Sequence, residues 1–138
     1  MLGRWAPVVA WMAVVFFFSS LSHLGPAGRV PDWVSHPIEY GVGAALVGRA
    51  LEGGRQRALT LSTALAAILL TTAYGVTDEF HQSFVPGRTP DPADVAKDFG
   101  GAVLACVLYR RWTARAAAGV ASDRRQAEGP ENTTESSP

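Results

Sequence analysis

Three short clusters of this chain hold most of the side chains able to do chemistry, and each repeats the spacing of one helical turn. The first has Asp32, His36, Glu39 and Tyr40, with His36 and Tyr40 four residues apart. The second has Asp78, Glu79, His81 and Gln82, with Asp78 and Gln82 again four apart, and Arg88 follows on the turn Pro86-Gly87-Arg88. The third has Asp94 and Asp98, four apart, with Lys97 beside them. Residues at that spacing share a helix face. Two imidazoles among several carboxylates could bind a divalent cation such as Zn²⁺ or Mn²⁺, with His36, Glu79 and His81 as candidate ligands. The same groups could supply an acid/base pair. No H-E-x-x-H or comparable metal motif accompanies them, so no cofactor and no catalytic residue is assigned. Cys106 is the only cysteine, which excludes an intramolecular disulfide and a CxxC-type metal site. Gly53-Gly54 and Gly100-Gly101 lack the flanking pattern of a phosphate-binding loop, and there is no nucleophile elbow.

The elements that must position these groups are apolar. Residues 5–22 and 58–77 contain no acidic or basic side chain. At 1.5 Å per residue such runs reach roughly 27–30 Å, the thickness of a bilayer's hydrocarbon core. The first is predicted to be a retained span, since it is longer than a signal-peptide core and no A-x-A-like site follows it. A second helix is predicted to start near Ser35-His36-Pro37, capped by Ser35, and to run to about Leu51. Glu39 and Arg49 make that segment a poor span by itself. Its small pairs, Gly41/Ala45 and Ala44/Gly48, suit close packing on a neighbour. The third helix is expected over residues 58–77. For the fourth, Asp91 is the expected N-cap, Pro92 the first helical residue, and Gly101/Ala105 and Ala102/Cys106 the small-residue face. Trp5, Trp11, Trp33 and Trp112 read as interfacial anchors or packing groups, and His23 as a loop residue.

The fold class that follows is all-α: a polytopic membrane protein, a four-transmembrane-helix bundle with an extracytoplasmic polar cluster. Residues 1–115 form the domain, and residues 116–138, poor in large apolar side chains, are expected to be a disordered cytoplasmic tail. A chain of 138 residues with 48% apolar and 17% charged composition suits one membrane domain. Its net charge of zero gives no reason to expect a nucleic-acid partner. Orientation follows from where the basic residues lie. Arg4, Arg49, Arg55, Arg57, Arg110, Arg111, Arg115, Arg124 and Arg125 flank one set of helix ends, against Arg29, Arg88 and Lys97 at the other. Both termini are therefore expected in the cytoplasm and the polar cluster outside, where it meets wall precursors or antibiotics but not cytosolic ATP. The basic tail would touch anionic lipid of the inner leaflet.

Three readings of the cluster stay open: a hydrogen-bond and ion-pair network in which Arg88 or Lys97 neutralises Asp78, Glu79 or Asp98; a binding site for a lipid or peptide-like head group; and a metal-dependent or acid/base enzyme. A purely structural partner subunit is a further possibility.

At these residues the chain resembles the VanZ-like family of bacterial membrane proteins. The resemblance spans roughly residues 5–112. It rests on Asp32, His36, Tyr40 and the glycines that follow, on the run Asp78-Glu79-Phe80-His81-Gln82-Ser83-Phe84-Val85-Pro86-Gly87-Arg88, and on Asp94 and Gly100-Gly101. Where the family usually has an apolar or aromatic residue after the first His, this chain has Pro37. The resemblance implies a multi-pass protein of the bacterial cytoplasmic membrane and cell envelope. The family's founding member is associated with low-level resistance to the glycopeptide teicoplanin, and the family's molecular activity is unsettled. Expected partners are accordingly the lipid bilayer and a cell-wall precursor or glycopeptide ligand. The alternative function is a metal-dependent membrane enzyme acting on a lipid-linked envelope substrate.

Overall fold

The computed structural model describes residues 2–22, 30–53 and 58–127. All regular structure among them is helical: a 3-10 turn at Leu2–Arg4, then α1 (Ala6–Ser19), α2 (Asp32–Leu51), α3 (Leu61–Gln82) and α4 (Pro92–Ala127). The expected loop around His23 and Arg29, the basic turn with Arg55 and Arg57, and residues 128–138 of the expected tail lie outside the described residues.

Local chemistry sets the helix ends, and several of them differ from expectation. The second helix begins at Asp32 rather than at Ser35, because Pro31 in extended conformation accepts from the Val34 and Ser35 amides at 2.8 and 3.1 Å. Asp32 then lies in the electropositive first turn. Pro37 stands inside the helix, where it removes one early hydrogen bond. The third helix starts at Leu61, after Thr60 accepts from the Thr63 amide at 3.2 Å, and continues past residue 77 to Gln82. Asp78, Glu79 and Gln82 are thus its last turn. At α4 the expected cap is in place: Asp91 Oδ1 accepts from the Ala93 amide at 2.9 Å, directly before Pro92. The helix does not stop near residue 115. It runs to Ala127, because Ala, Arg and Gln are good helix formers even where nothing packs on them. The boundary of a disordered tail at residue 116 is therefore corrected for residues 116–127.

The helices alternate in direction. The starts of α2 and α4 meet the end of α3, where the polar clusters lie. At the opposite end the Leu59 amide donates to Thr113 Oγ1 and the Thr60 amide to Glu52 Oε1, both at 3.2 Å. The central helix is α2, and its small residues let its neighbours close in. A Cβ on Gly101 of α4 would stand 2.1 Å from the Pro37 carbonyl oxygen, and one on Gly41 would stand 3.4 Å from Ala105 Cβ. Ala44 and Ala102 are fully buried. On the other side the Trp11 ring fills the space over Gly43, and its Nε1 donates to the Glu39 carbonyl at 3.1 Å. Tyr74 OH donates to the Met12 carbonyl at 2.8 Å, so α1 is fastened through two aromatic donors. Trp11 is therefore a packing group, whereas Trp33 and Trp112 are exposed.

The interior is built from small residues and the exterior from large ones. Phe17, Leu69, Phe80 and Leu104 are all at least 60% exposed, with similar residues on every helix. Among the described residues one helix, α3, is long and apolar enough to cross a membrane; α1 is apolar but only 14 residues long.

Candidate functional site

His36 links α2 to α4. Its Nδ1 lies 2.9 Å from Asp98 Oδ1, and its Nε2 lies 3.6 Å from Asp94 Oδ2. Asp98 is 1% exposed, and its carboxylate occupies space that only a glycine on α3 can leave: a Cβ on Gly75 would be 2.7 Å from Asp98 Oδ2. Lys97 pairs with Asp94 Oδ1 one turn of α4 away. The His36 ring lies parallel to Tyr40, whose own ring is fully buried and edge-on to Trp11.

The last turn of α3 adds three buried polar residues. Glu79 Oε2 accepts the Asp91 amide at 2.8 Å, tying the end of α3 to the start of α4. Gln82 donates to Asp78 Oδ2 at 2.9 Å, and its Oε1 accepts from Arg88 Nε and Nη2 at 3.3 and 2.9 Å. Arg88 thus acts on Asp78 through Gln82. This differs from the expected network, in which Arg88 or Lys97 would meet Asp78, Glu79 or Asp98 directly. Arg88 can fold back over Gln82 because Gly87, at φ +82°, adopts a turn conformation that favours glycine.

Among the described residues of the site, four buried polar atoms are without a hydrogen-bond partner: Asp78 Oδ1, Glu79 Oε1, Asp98 Oδ2 and Tyr40 OH. Such groups are uncommon in folded proteins. Glu39, Asp78, Glu79, Asp94 and Asp98 outnumber the fixed cations Arg88 and Lys97, so the site is electronegative. Beside it opens a cavity of about 410 Å³. Val14, Val15 and Phe18 of α1 form an apolar wall, and His36, Glu39, Asp78, Gln82 and Arg88 form a polar one. Asp32 is exposed at its rim.

The ligand atoms of His36, Glu79 and Asp94 all lie within 4.8 Å of one another. His81 is turned away from this group. It stacks on Phe16 of α1 with ring centroids 4.4 Å apart, and its Nε2 lies 3.0 Å from Ser20 Oγ. Of the three ligand candidates read from the sequence, His36 and Glu79 converge, and Asp94 takes the place of His81.

Residues 34–114 match the family model described as VanZ/LLP1. The chain belongs to the VanZ/LLP1 family. The matched stretch holds His36, Tyr40, Asp78, Glu79, Gln82, Arg88, Asp94 and Asp98, so every buried polar member of the site lies in the VanZ/LLP1 region. No curated protein and no solved structure matches the chain. The region begins inside α2 and leaves α1 out, although α1 supplies the apolar cavity wall.

Sequence reasoning missed that wall, the Asp91 amide and Gly75. Gly75 had a visible signal, since it is a lone glycine in the uncharged run, three residues before Asp78. The wall had none, because Val14, Val15 and Phe18 sit in a uniformly apolar helix with no distinguished face.

Proposed function

We propose that this VanZ/LLP1 protein is a multi-pass protein of the bacterial cytoplasmic membrane, with four helices crossing the lipid and both termini in the cytoplasm. Its polar site then faces the cell envelope. There it binds the head group of an amphipathic envelope ligand, a lipid-linked wall precursor or a teicoplanin-type glycopeptide, without covalent catalysis.

Two features support the membrane setting. Large apolar side chains are exposed on all four helices, which a water-soluble monomer of this size would not tolerate as a continuous surface. The basic residues gather at the helix ends opposite the polar site. The binding role rests on one observation: unpartnered buried acceptors stand behind a cavity with one apolar and one polar wall. A ligand with an acyl or aromatic part and a donor-rich head fits both walls.

The test is drug susceptibility in a glycopeptide-sensitive bacterial host. Cells expressing the chain are compared with cells expressing Glu79→Ala or Arg88→Ala at matched protein levels, and with an empty-vector control. Reduced teicoplanin susceptibility only with the unaltered chain is expected. Equal susceptibility in all four strains overturns the resistance role. A second reading, a metal-dependent membrane enzyme acting on a lipid-linked substrate, is favoured by the convergence of His36, Glu79 and Asp94. It requires turnover of a lipid-linked precursor by purified protein that stops on chelation.

A further inference from the structure

We infer that His36 Nε2, Glu79 Oε1 and Asp94 Oδ2 form the protein ligands of a site for one divalent first-row metal ion, Zn²⁺ or Mn²⁺. Proximity alone would not carry this, since acidic groups often cluster. The decisive feature is that each of the three residues has one polar atom held by a neighbour, which leaves the other for the ion. His36 Nδ1 is held by Asp98 at 2.9 Å, so Nε2 remains. Asp94 Oδ1 is held by Lys97, so Oδ2 remains, and it already lies 3.6 Å from His36 Nε2. Glu79 Oε2 is held by the Asp91 amide at 2.8 Å, while Oε1 is buried without a partner on a side chain only 7% exposed.

This is the outer-shell arrangement that metal sites need. A carboxylate on the far nitrogen of a ligating histidine fixes its tautomer and orientation and raises its basicity. Asp98 does that here, locked in place by burial and by the space over Gly75. One nitrogen and two carboxylate oxygens suit Zn²⁺ or Mn²⁺ better than a soft ion such as Cu(I). Ligand atoms around a shared ion sit about 3.0–3.4 Å apart. One ligand atom from each of His36, Glu79 and Asp94 lies within 4.8 Å of the other two, so closing around an ion needs a contraction on the order of 1 Å. Three protein ligands leave coordination positions for water or a ligand oxygen. His36 also lines the cavity, so the ion would sit at the edge of the proposed head-group site. The site itself does not depend on what that cavity binds.

The experiment uses the full chain, purified in detergent, stripped with chelator and titrated with ZnCl₂ or MnCl₂ by calorimetry. One ion per chain is expected. Glu79→Gln and Asp94→Asn each remove a ligand and should weaken binding more than 100-fold. Asp98→Asn should weaken it 10–100-fold through loss of the outer-shell charge. His81→Ala should bind as the unaltered chain does, since that imidazole faces Phe16 and Ser20. In the unaltered protein loaded with Mn²⁺, pulsed electron paramagnetic resonance should detect a directly bound imidazole nitrogen, which needs no variant to fold. Absence of stoichiometric binding of either ion overturns the inference. So does binding that survives both Glu79→Gln and Asp94→Asn, or bound Mn²⁺ without nitrogen coupling. None of these outcomes touches the drug-susceptibility result, so the two readings fail separately.

Discussion

Gly100 and Gly101 are adjacent on one helix, yet the same substitution should act on them in opposite directions. A Cβ on Gly100 meets nothing within 4 Å. Gly100→Ala therefore gains only the helix propensity of alanine, up to about 1 kcal/mol. A Cβ on Gly101 would stand 2.1 Å from the Pro37 carbonyl oxygen and 2.5 Å from Pro37 Cα. Ordinary contact begins at 3.4 Å, so α2 and α4 must separate by about 1.3 Å at this point. Both atoms are backbone, so no side-chain rotation relieves the clash. Overpacking of this kind costs about 1–3 kcal/mol, and the helix-propensity gain offsets only part of it.

The separation falls beside the site. Pro37 follows His36, and the His36 Nδ1 to Asp98 Oδ1 bond at 2.9 Å does not survive a displacement of that size. Thermal unfolding of both variants in one detergent, followed by far-ultraviolet circular dichroism, reads the difference. One kcal/mol corresponds to about 4–8 °C for a domain of 60–100 residues, and somewhat less for a chain of this length. Gly101→Ala is expected to melt several degrees below the unaltered chain, and Gly100→Ala at or slightly above it. A Gly101→Ala protein that melts with Gly100→Ala would refute the close approach of α2 and α4, and with it the placement of His36 on Asp98.

Two further outcomes follow from the same geometry. Tyr40 OH is buried without a hydrogen-bond partner, so Tyr40→Phe should leave stability unchanged or raise it by about 1 kcal/mol, and a loss larger than that in the same melting assay would mean the hydroxyl has a partner. For the topology, Pro86→Cys and Asp123→Cys are made in a Cys106→Ser background and treated with a membrane-impermeant maleimide. Labelling of Pro86→Cys in intact cells, and of Asp123→Cys only after lysis, is expected; the reverse pattern would place the polar site in the cytosol.

Much of the site was legible from spacing, because residues four apart on a helix keep their shared face whatever the helix packs on. His36 with Tyr40, Asp78 with Gln82 and Asp94 with Asp98 all behave this way. The small-residue faces were legible for a similar reason, since Gly41, Ala44, Gly101 and Ala102 have no other use at that spacing. What spacing could not supply was the rotation of one helix against the next. His81 follows Glu79 by two residues, and two residues turn a helix by about 200°, which sends the imidazole to the opposite side. It therefore meets α1, while Asp94, from a different helix, comes to Glu79. The limits of α2 and α4 were misjudged because local signals compete. Pro37 looked like a first-turn proline, but Pro31 supplied an earlier start. Polarity after Arg115 looked like disorder, but alanine and arginine continue a helix already under way.

The arrangement also constrains what the site can be for. Burying a carboxylate without compensation costs several kcal/mol, and a bundle with small side chains in its core has little stability to spend on several of them. Asp78, Glu79 and Asp98 are each less than 10% exposed and each keeps one unpartnered oxygen, while both fixed cations are engaged on Gln82 and Asp94. A purely structural network would satisfy those oxygens, because helices pinned by half-satisfied groups are less stable than helices pinned by leucine. Compensation therefore comes from outside the side-chain set, as bound water, a proton, a cation or the donor groups of a ligand. A cation at His36, Glu79 and Asp94 would neutralise one end of the site, and a donor-rich head group in the cavity would reach Asp78 at the other. By linkage, whatever factor a bound cation changes head-group affinity by, the head group must change cation affinity by the same factor.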